Sequence, residues 1–210
     1  TTTYKEGLTL SDVDLSGTGW TWIVKDMALS VGTDSYPVSF DTTALESTTD
    51  FSGVDGYDAI NHKVIRKVEV KVNKADSAVI ITTQSLDKEY DENAVSAPGY
   101  ITSGSNGKVT IKWQENTGSV DTPKWEDLTS APSKVGTYRV VVELAGNANY
   151  KLASATLEFV ISKATNTWTE ELSITGWTYN DKVNDPVAKA QFGDVTFTYS
   201  SEENGTYTNE

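Results

Sequence analysis

The sequence predicts an all-β protein built from small β-domains in tandem, with almost no helix, and three observations support this. The chain is rich in Thr, Ser, Val and aromatic residues, which suit the pleated, half-buried surface of a sheet. No segment shows sustained helical periodicity of its apolar residues together with helix caps. Two alternating segments, 68–75 and 157–164, both end in Lys-Ala, and their lysines are 89 residues apart (163 − 74). That spacing is too long for a solenoid repeat and fits a whole small β-domain.

The recurrence divides the chain into three predicted modules. Module one is residues 1–74, module two is residues 75–163, and module three is residues 164–210. Module three follows the order of module two but stops early, so we expect it to be the N-terminal half of a truncated copy in an excised fragment. The two joints contain no Gly- or Pro-rich stretch, so they should restrict bending between modules.

The first part of module one contains two predicted strands. We expect one strand at residues 4–10. A second strand places Trp20, Trp22 and Val24 on one face, because side chains alternate along a strand.

The second part of module one contains a strand, a loop and the closing strand. Residues 36–40 are predicted to lie at a sheet edge or in a bulge, because Pro37 has no N–H to donate to a ladder. Residues 41–58 are polar and contain glycine, which predicts a long loop. The closing strand, residues 68–72, directs its three valines inward and its charged residues outward.

Module two has the same alternating character. Residues 79–81 open it, and a half-buried strand over residues 109–114 directs Trp113 inward. A Val-Gly-Thr turn, which recurs in module one, leads into residues 138–144, whose even-numbered apolar side chains should face the core.

Module three repeats the first half of this pattern. Residues 177–181 correspond to residues 88–92 of module two. Residues 193–199 correspond to residues 107–113, which predicts a strand there.

Short motifs recur in a fixed order along nearly the whole chain. They are Gly19-Trp20-Thr21-Trp22 and Leu29-Ser30-Val31-Gly32-Thr33 in module one, and Tyr90-Asp91, Val135-Gly136-Thr137-Tyr138, Gly146-Asn147-Ala148-Asn149-Tyr150 and Lys163-Ala164 in module two. In this order they resemble the bacterial immunoglobulin-like repeats of Gram-positive-type cell-surface proteins. The resemblance implies immunoglobulin-like β-sandwich modules that act as spacers or adhesive units at a cell wall, with no catalytic residues to transfer.

The charge of the chain limits the classes of partner. The net charge is −13. Binding to a phosphate backbone needs Lys and Arg to displace counterions, so we expect no nucleic acid and no anionic membrane as a partner. The chain has no cysteine, which favours a bacterial surface protein over a small secreted eukaryotic domain stabilised by disulfides. The sequence contains no signal peptide, transmembrane run or sorting motif.

The sequence contains no GxGxxG, P-loop, HExxH or CxxC motif. His62 is the only histidine, and without a positioned partner it builds no catalytic triad. We therefore predict that the protein is not an enzyme and needs no cofactor. Carboxylate groups do occur, and at a module joint they could bind calcium, although none has EF-hand spacing. They are Asp12, Asp14, residues 87–92, Asp181, Asp185, Glu202 and Glu203.

The six tryptophans fall into two groups. Trp20, Trp22 and Trp113 occupy inward positions of predicted strands and are assigned to the core. The other three lie near turns or module starts, where a ring can stack on a sugar face or make an apolar contact at a joint. These candidate ligand-binding residues are Trp125, Trp168 and Trp177.

Together these features predict a non-enzymatic, extracellular array at a bacterial cell surface or cell wall, either a spacer or stalk or an adhesin. The alternative is a carbohydrate-binding module accessory to a surface enzyme. Partners would be host or cell-wall glycans or proteins, and the incomplete module three could exchange a strand with a partner at its open edge. An intramolecular Lys–Asn crosslink remains open, and intact mass would reveal it by the loss of ammonia.

Overall fold

A computed structural model describes residues 1–182, 184–198, 200–203 and 206–209, with side chains as far as residue 198. The predicted all-β fold is confirmed, because the described residues form sixteen strands and one short 3₁₀ helix, Leu10–Asp12. The strands are β1 Thr2–Thr3, β2 Trp20–Trp22, β3 Gly32–Asp41, β4 Tyr57–Asp58, β5 Lys63–Asn73, β6 Ala78–Ile81, β7 Lys88–Glu89, β8 Tyr100–Ser103, β9 Val109–Asn116, β10 Trp125–Leu128, β11 Gly136–Leu144, β12 Ala153–Ser162, β13 Trp168–Ser173, β14 Val187–Ala190, β15 Ser200–Glu203 and β16 Thr206–Asn209.

One five-stranded sheet forms the framework of module one. Its order is β1-β5-β3-β2, and β4 also pairs with β5. The long strands β3 and β5 are antiparallel in unbroken register, from Gly32 opposite Val72 to Asp41 opposite Lys63. Val70 and Val72 are buried on the inner face of β5, as the alternation of the closing strand predicts. The described loops and 3₁₀ helix cover this face, with Leu8, Leu10 and Leu29 against the two valines.

The strand predicted at residues 4–10 is wrong, because the chain turns there and enters the 3₁₀ helix. Gly7 has φ 73°, a left-handed conformation that glycine adopts at little cost. The Asp12 carboxylate accepts hydrogen bonds from the Lys5 ammonium (2.6 Å) and the Thr9 N–H (2.8 Å). These bonds hold the pKa of Asp12 below its usual value, with the Lys5 bond as the larger cause. Local side-chain bonds of this kind compete with an extended backbone.

The prediction that Pro37 lies at a sheet edge or in a bulge is also wrong. It lies within β3, which pairs with β5 on one side and β2 on the other, and it is opposite Lys67 in unbroken register. The Pro37 carbonyl accepts the Ile23 N–H (3.2 Å), so the nitrogen of Pro37 also faces the β2 side. The ladder with β2 ends at Trp22 opposite Val38, so Pro37 lies just past the paired residues, and its missing N–H removes only the reciprocal bond to the Ile23 carbonyl.

Module two is built from two sheets. The larger has the order β10-β9-β11-β12-β7, and β6 pairs with β8 in the smaller. The Phe159 ring packs against those of Trp113 (centroids 5.9 Å apart) and Tyr138 (5.7 Å). Val140 and Ile161 are fully buried in the same cluster. The inward positions predicted for Trp113 and for residues 138–144 are therefore confirmed.

The first segment of module two changes from one sheet to the other. β6 pairs with β8, whereas β7 pairs in parallel with β12, with Lys88 opposite Ile161. Between them, the Asp87 carboxylate accepts the Val160 N–H (2.7 Å). This bond and one from Ser85 hold the pKa of Asp87 below its usual value. The Asp87 side chain thus accepts the N–H of Val160 at the edge of β12, just before the backbone pairing of β7 with β12 begins.

Module three has two hairpins within the described residues. β13 pairs with β14 with shifts in register, and β15 pairs with β16. The strand predicted at residues 193–199 is not found over 194–198, and Tyr199 lies outside the described residues. The matching strand of module two, β9, is held between β10 and β11. No described segment of module three provides a counterpart of β11, so residues 194–198 lack that neighbour.

Candidate functional site

The candidate site of this protein is the pair of joints between its modules. In module one, the backbone N–H of Tyr4 donates to the carbonyl of Asn73 (2.9 Å), directly after the parallel pair β1–β5. In module two, the N–H of Tyr90 donates to the carbonyl of Ser162 (2.9 Å), directly after the parallel pair β7–β12. Tyr4 and Tyr90 therefore hold equivalent places beside the end of a closing strand.

Each of these tyrosines packs on an aromatic ring of the following module. The rings of Tyr4 and Tyr150 meet edge to face, with centroids 5.6 Å apart and planes at 83°. The rings of Tyr90 and Phe192 have centroids 5.3 Å apart and planes at 56°. Both centroid distances fall within the range of about 4.5–7 Å found for interacting aromatic pairs.

At the first joint, hydrogen bonds fix the turn that carries Tyr150. The Ala75 N–H donates to the Asn149 carbonyl (2.9 Å), and the Lys151 N–H donates to the Ala75 carbonyl (2.8 Å). The Asn147 side-chain oxygen accepts the N–H groups of Asn149 and Tyr150, both at 2.9 Å. An asparagine turn of this kind presets the backbone, so the Tyr150 ring is held in place by Asn147 and by Ala75, the first residue of module two.

Charged side chains add two more contacts at the first joint. The Lys74 ammonium donates to the carbonyl of Asn147 (2.6 Å). The Lys151 ammonium pairs with the Asp76 carboxylate (2.8 Å). Both contacts are exposed, so each contributes little free energy.

The second joint uses different residues for the same task. The Asn166 side chain accepts the Phe192 N–H (3.0 Å) and donates to the Phe192 carbonyl (2.9 Å). The Gln191 N–H donates to the Thr167 carbonyl (2.8 Å). Here too, the segment that follows a closing strand holds the turn that carries the aromatic ring.

From the sequence, the joints were placed at the Lys-Ala dipeptides, which stays a prediction, and the aromatic pairs were missed. A signal was present, because Tyr4 precedes Lys74 by 70 residues (74 − 4) and Tyr90 precedes Lys163 by 73 (163 − 90). The similar spacing indicates equivalent positions. No such signal marked Phe192. Its counterpart at the first joint is Tyr150, which lies in a turn of different sequence.

The three candidate ligand-binding tryptophans do not form one site. Trp125 lies in β10 of module two, half-buried, with the Arg139 guanidinium 4.4 Å from its ring centroid. Trp168 and Trp177 lie in module three, with 53% and 47% of their surfaces exposed. A role for these residues in ligand binding stays a prediction.

His62 belongs to a hydrogen-bonded cluster in the long loop of module one. Its Nδ1 lies 2.6 Å from a Glu46 carboxylate oxygen. The other oxygen of that carboxylate accepts bonds from the hydroxyls of Thr42 (2.5 Å) and Tyr57 (2.7 Å). Bonds from Thr42, Tyr57 and His62, in that order of size, hold the pKa of Glu46 below its usual value. The cluster fastens the loop to the sheet.

No group of three or more His, Asp or Glu side chains in the described part of the chain is arranged to hold a metal ion. Calcium at a joint therefore stays a prediction without a described site. Within the same residues, no helix is long and apolar enough to cross a membrane.

One comparison with known proteins gives a match. Residues 77–176 match the family model of the MBG domain. The MBG domain is a β-rich domain found in bacterial surface proteins. The match begins two residues inside module two (77 − 75) and extends 13 residues beyond its predicted end (176 − 163). No curated protein and no solved structure matches the chain.

Proposed function

We propose that this chain is a non-enzymatic, extracellular spacer whose modules are joined end to end with restricted bending, so that it presents a distal part of a bacterial surface protein. The observation that supports this proposal is the recurrence of one joint design at Tyr4 and at Tyr90. The MBG match over residues 77–176 supports the extracellular, surface-protein setting.

The aromatic pair at each joint crosses from one module to the next and supports restricted motion there. An aromatic pair contributes about 0.5–1.5 kcal/mol beyond the area it buries. The bond from the Lys74 ammonium to the Asn147 carbonyl also crosses the first joint, and because it is exposed it contributes little free energy. Since the links have no Gly- or Pro-rich stretch, we expect bending to require separating the two rings rather than rotating a free tether.

Pulsed electron paramagnetic resonance across the first joint tests the proposal. The chain has no native cysteine, so Glu69→Cys and Glu158→Cys place spin labels at two exposed positions, one on β5 and one on β12. We expect a narrow distribution of distances between the labels. Replacing Tyr4 and Tyr150 by alanine removes the aromatic pair and should broaden that distribution.

The matched control is Tyr100→Ala, which removes an exposed tyrosine of β8 away from the joint. It should leave the distribution narrow. A distribution in the unmutated protein as broad as that of a flexible peptide link would contradict the spacer proposal.

The second candidate function is carbohydrate binding, favoured by the exposure of Trp168 and Trp177. An exposed indole offers an apolar face for a sugar ring, and nearby polar groups can bond its hydroxyls. A glycan array should then show binding that is lost when Trp125, Trp168 and Trp177 are replaced by alanine. Absence of binding by the unmutated protein would reject this function.

A further inference from the structure

Asn106 and Gly107 form an asparagine–glycine step in the connection between β8 and β9 of module two. Such a step is chemically labile, because glycine has no side chain to keep its backbone nitrogen away from the preceding asparagine side chain. The chain contains one other step of this kind, at residues 204–205, which lies outside the described residues. Asn106 is exposed, so solvent reaches it in the folded module.

The reaction of this step is a ring closure followed by hydrolysis. The Gly107 nitrogen loses its proton to hydroxide and attacks Cγ of the Asn106 side chain. The new N–C bond closes a succinimide ring, and the side-chain nitrogen takes a proton from water and leaves as ammonia. Water then opens the ring at one of its two carbonyls. The product is aspartate or isoaspartate, in which the backbone runs through Cβ and Cγ.

The folded module engages both reacting groups in hydrogen bonds. The Gly107 N–H donates to the hydroxyl of Ser105 (2.9 Å), so hydroxide removes that proton only when the bond opens. The side-chain oxygen of Asn106 accepts the side-chain N–H of Asn147 (2.8 Å). That bond holds the Asn106 side chain toward the turn between β11 and β12.

The backbone around the step is fixed as well, which opposes the change in torsion angles that ring closure requires. Ser105 is 6% exposed. Its hydroxyl donates to the Ala145 carbonyl (2.7 Å), and its N–H donates to the hydroxyl of Ser77 (3.1 Å). The Ala145 N–H donates to the Lys108 carbonyl (3.0 Å). These bonds enclose Gly107, where a Cβ would lie 2.1 Å from the Ala145 oxygen.

We propose that Asn106 is a site of spontaneous deamidation that is protected while module two is folded and reacts when the connection between β8 and β9 opens. Solvent supplies the hydroxide and the water. The rate follows the population of the open state, because opening and closing are fast compared with the chemistry. The ammonia diffuses away, so the modification is a lasting covalent mark of opening, whatever the function of the array.

The isoaspartate product does not fit the folded connection. It adds one carbon to the backbone beside Gly107, where the Ala145 carbonyl leaves no space for an added carbon. It also displaces the oxygen that Asn147 bonds. Since the side-chain oxygen of Asn147 accepts the Tyr150 N–H (2.9 Å), the turn that carries Tyr150 loses a support. A module that has opened and reacted therefore makes a looser contact with Tyr4.

Incubation of the folded chain beside a capped peptide copying residues 103–110 tests the proposal. Peptide mapping by mass spectrometry locates the mass gain that accompanies the exchange of an amide NH₂ for OH, and an isoaspartate-specific methyltransferase identifies the product. We expect Asn106 to react at least about tenfold more slowly in the folded chain than in the peptide, because the open state must form first. Asn93 and Asn116, which precede alanine and threonine, are internal references.

Asn147→Ala and its matched control Asn149→Ala separate local protection from other effects. Asn147→Ala removes the bond to Asn106 and should speed deamidation by between about twofold and tenfold. Asn149 joins the same turn through its backbone N–H and carbonyl, so Asn149→Ala should leave the rate unchanged. Hydrogen exchange of the Gly107 amide, followed by nuclear magnetic resonance, should rise in parallel with the deamidation rate, because both require the same N–H to open.

Three outcomes would overturn the proposal. The first is a reaction of Asn106 as fast in the folded chain as in the peptide, because the fold would then give no protection. The second is a rate in the peptide no higher than that of the internal references. The third is a deamidation rate that does not follow exchange of the Gly107 amide across the variants, because opening of the connection would then not control the reaction.

Discussion

Modules one and two each contain a five-stranded sheet, but the inner faces of these sheets are covered differently. In module two, a second sheet of β6 and β8 accompanies a core of interlocking rings around Phe159. In module one, the cover is the 3₁₀ helix and loops packed on Val70 and Val72. The two closing strands have similar lengths and alternation, so the difference lies in the cover rather than in the framework.

The difference in cover affects how tightly the inner face of each sheet is packed. In module two, the rings of Trp113, Tyr138 and Phe159 pack on one another and fill the core, with Val95 from a loop against them. Loops supply side chains at irregular positions, and the face of module one retains a cavity of about 440 Å³. The gap in module one is therefore larger than the groove of about 290 Å³ beside Tyr138 in module two.

The largest expected effect is the loss of the ring at the centre of module two. Phe159→Ala removes a side chain that is 2% exposed and should lower the free energy of unfolding of module two by about 3–5 kcal/mol. Amide signals followed during urea unfolding should show module two unfolding earlier and module one nearly unchanged. The control is Val160→Ala on the same strand, where the side chain is 45% exposed. If both modules shifted equally, the comparison drawn above would fail.

A smaller effect is expected where the loop cover of module one meets its sheet. Gly56 has φ 77°, and a Cβ there would lie 2.2 Å from the Ile65 carbonyl oxygen. Gly56→Ala should therefore lower the free energy of unfolding of module one by about 1–3 kcal/mol. The same urea experiment measures it.

Gly53→Ala in the same loop is the matched control for this substitution. A Cβ at Gly53 would have no neighbour within 4 Å, so we expect little change in stability. An equally large loss from Gly53→Ala would show that the loop, rather than the contact with Ile65, determines the effect.

The smallest effect concerns the pH dependence of the same loop. The pKa of Glu46 in the folded protein lies below its ordinary value of 4.5. The ionised carboxylate therefore stabilises module one above pH 4.5, and this contribution is lost as the pH falls through the lower, folded pKa. Glu46→Gln should make the unfolding midpoint of module one less dependent on pH between 5 and about 3.

Glu126→Gln in module two is the counterpart for this pH test. Lys124 holds the pKa of Glu126 below its usual value, so its substitution should alter the pH response of module two alone. If Glu46→Gln left the pH response of module one unchanged, the cluster of Thr42, Tyr57 and His62 would not contribute through the charge of Glu46.

The sequence was most informative where alternation and burial agree. The inward positions of Trp113 and of the valines near Lys74 follow from side-chain alternation alone. The turn after Gly7 was missed because it depends on the Asp12 carboxylate, which accepts hydrogen bonds from Lys5 and Thr9. The periodicity of apolar residues does not report such bonds in a short polar segment. Pro37 was misplaced because proline lacks an N–H on one side of a strand only. The sequence does not tell on which side of the strand a neighbour pairs.

The joints were predicted only in part for a similar reason. The Lys-Ala dipeptides mark the ends of closing strands, and these are visible in the sequence. The partners of Tyr4 and Tyr90 lie 146 and 102 residues further along the chain (150 − 4 and 192 − 90). Tyr150 lies in a turn and Phe192 precedes a glycine, so the residues around them do not show that both rings pack at a joint. Only the three-dimensional structure shows it.

The parallel pairing of β7 with β12 places the entry and exit segments of module two side by side. When a tethered chain is pulled from its two ends, these neighbours are drawn in opposite directions along their common axis. Bonds such as that from Tyr90 N–H to the Ser162 carbonyl (2.9 Å) are then loaded together in shear. Because β1 and β5 repeat the arrangement in module one, a load applied to the two ends of the chain would meet the same kind of resistance at each of these two modules.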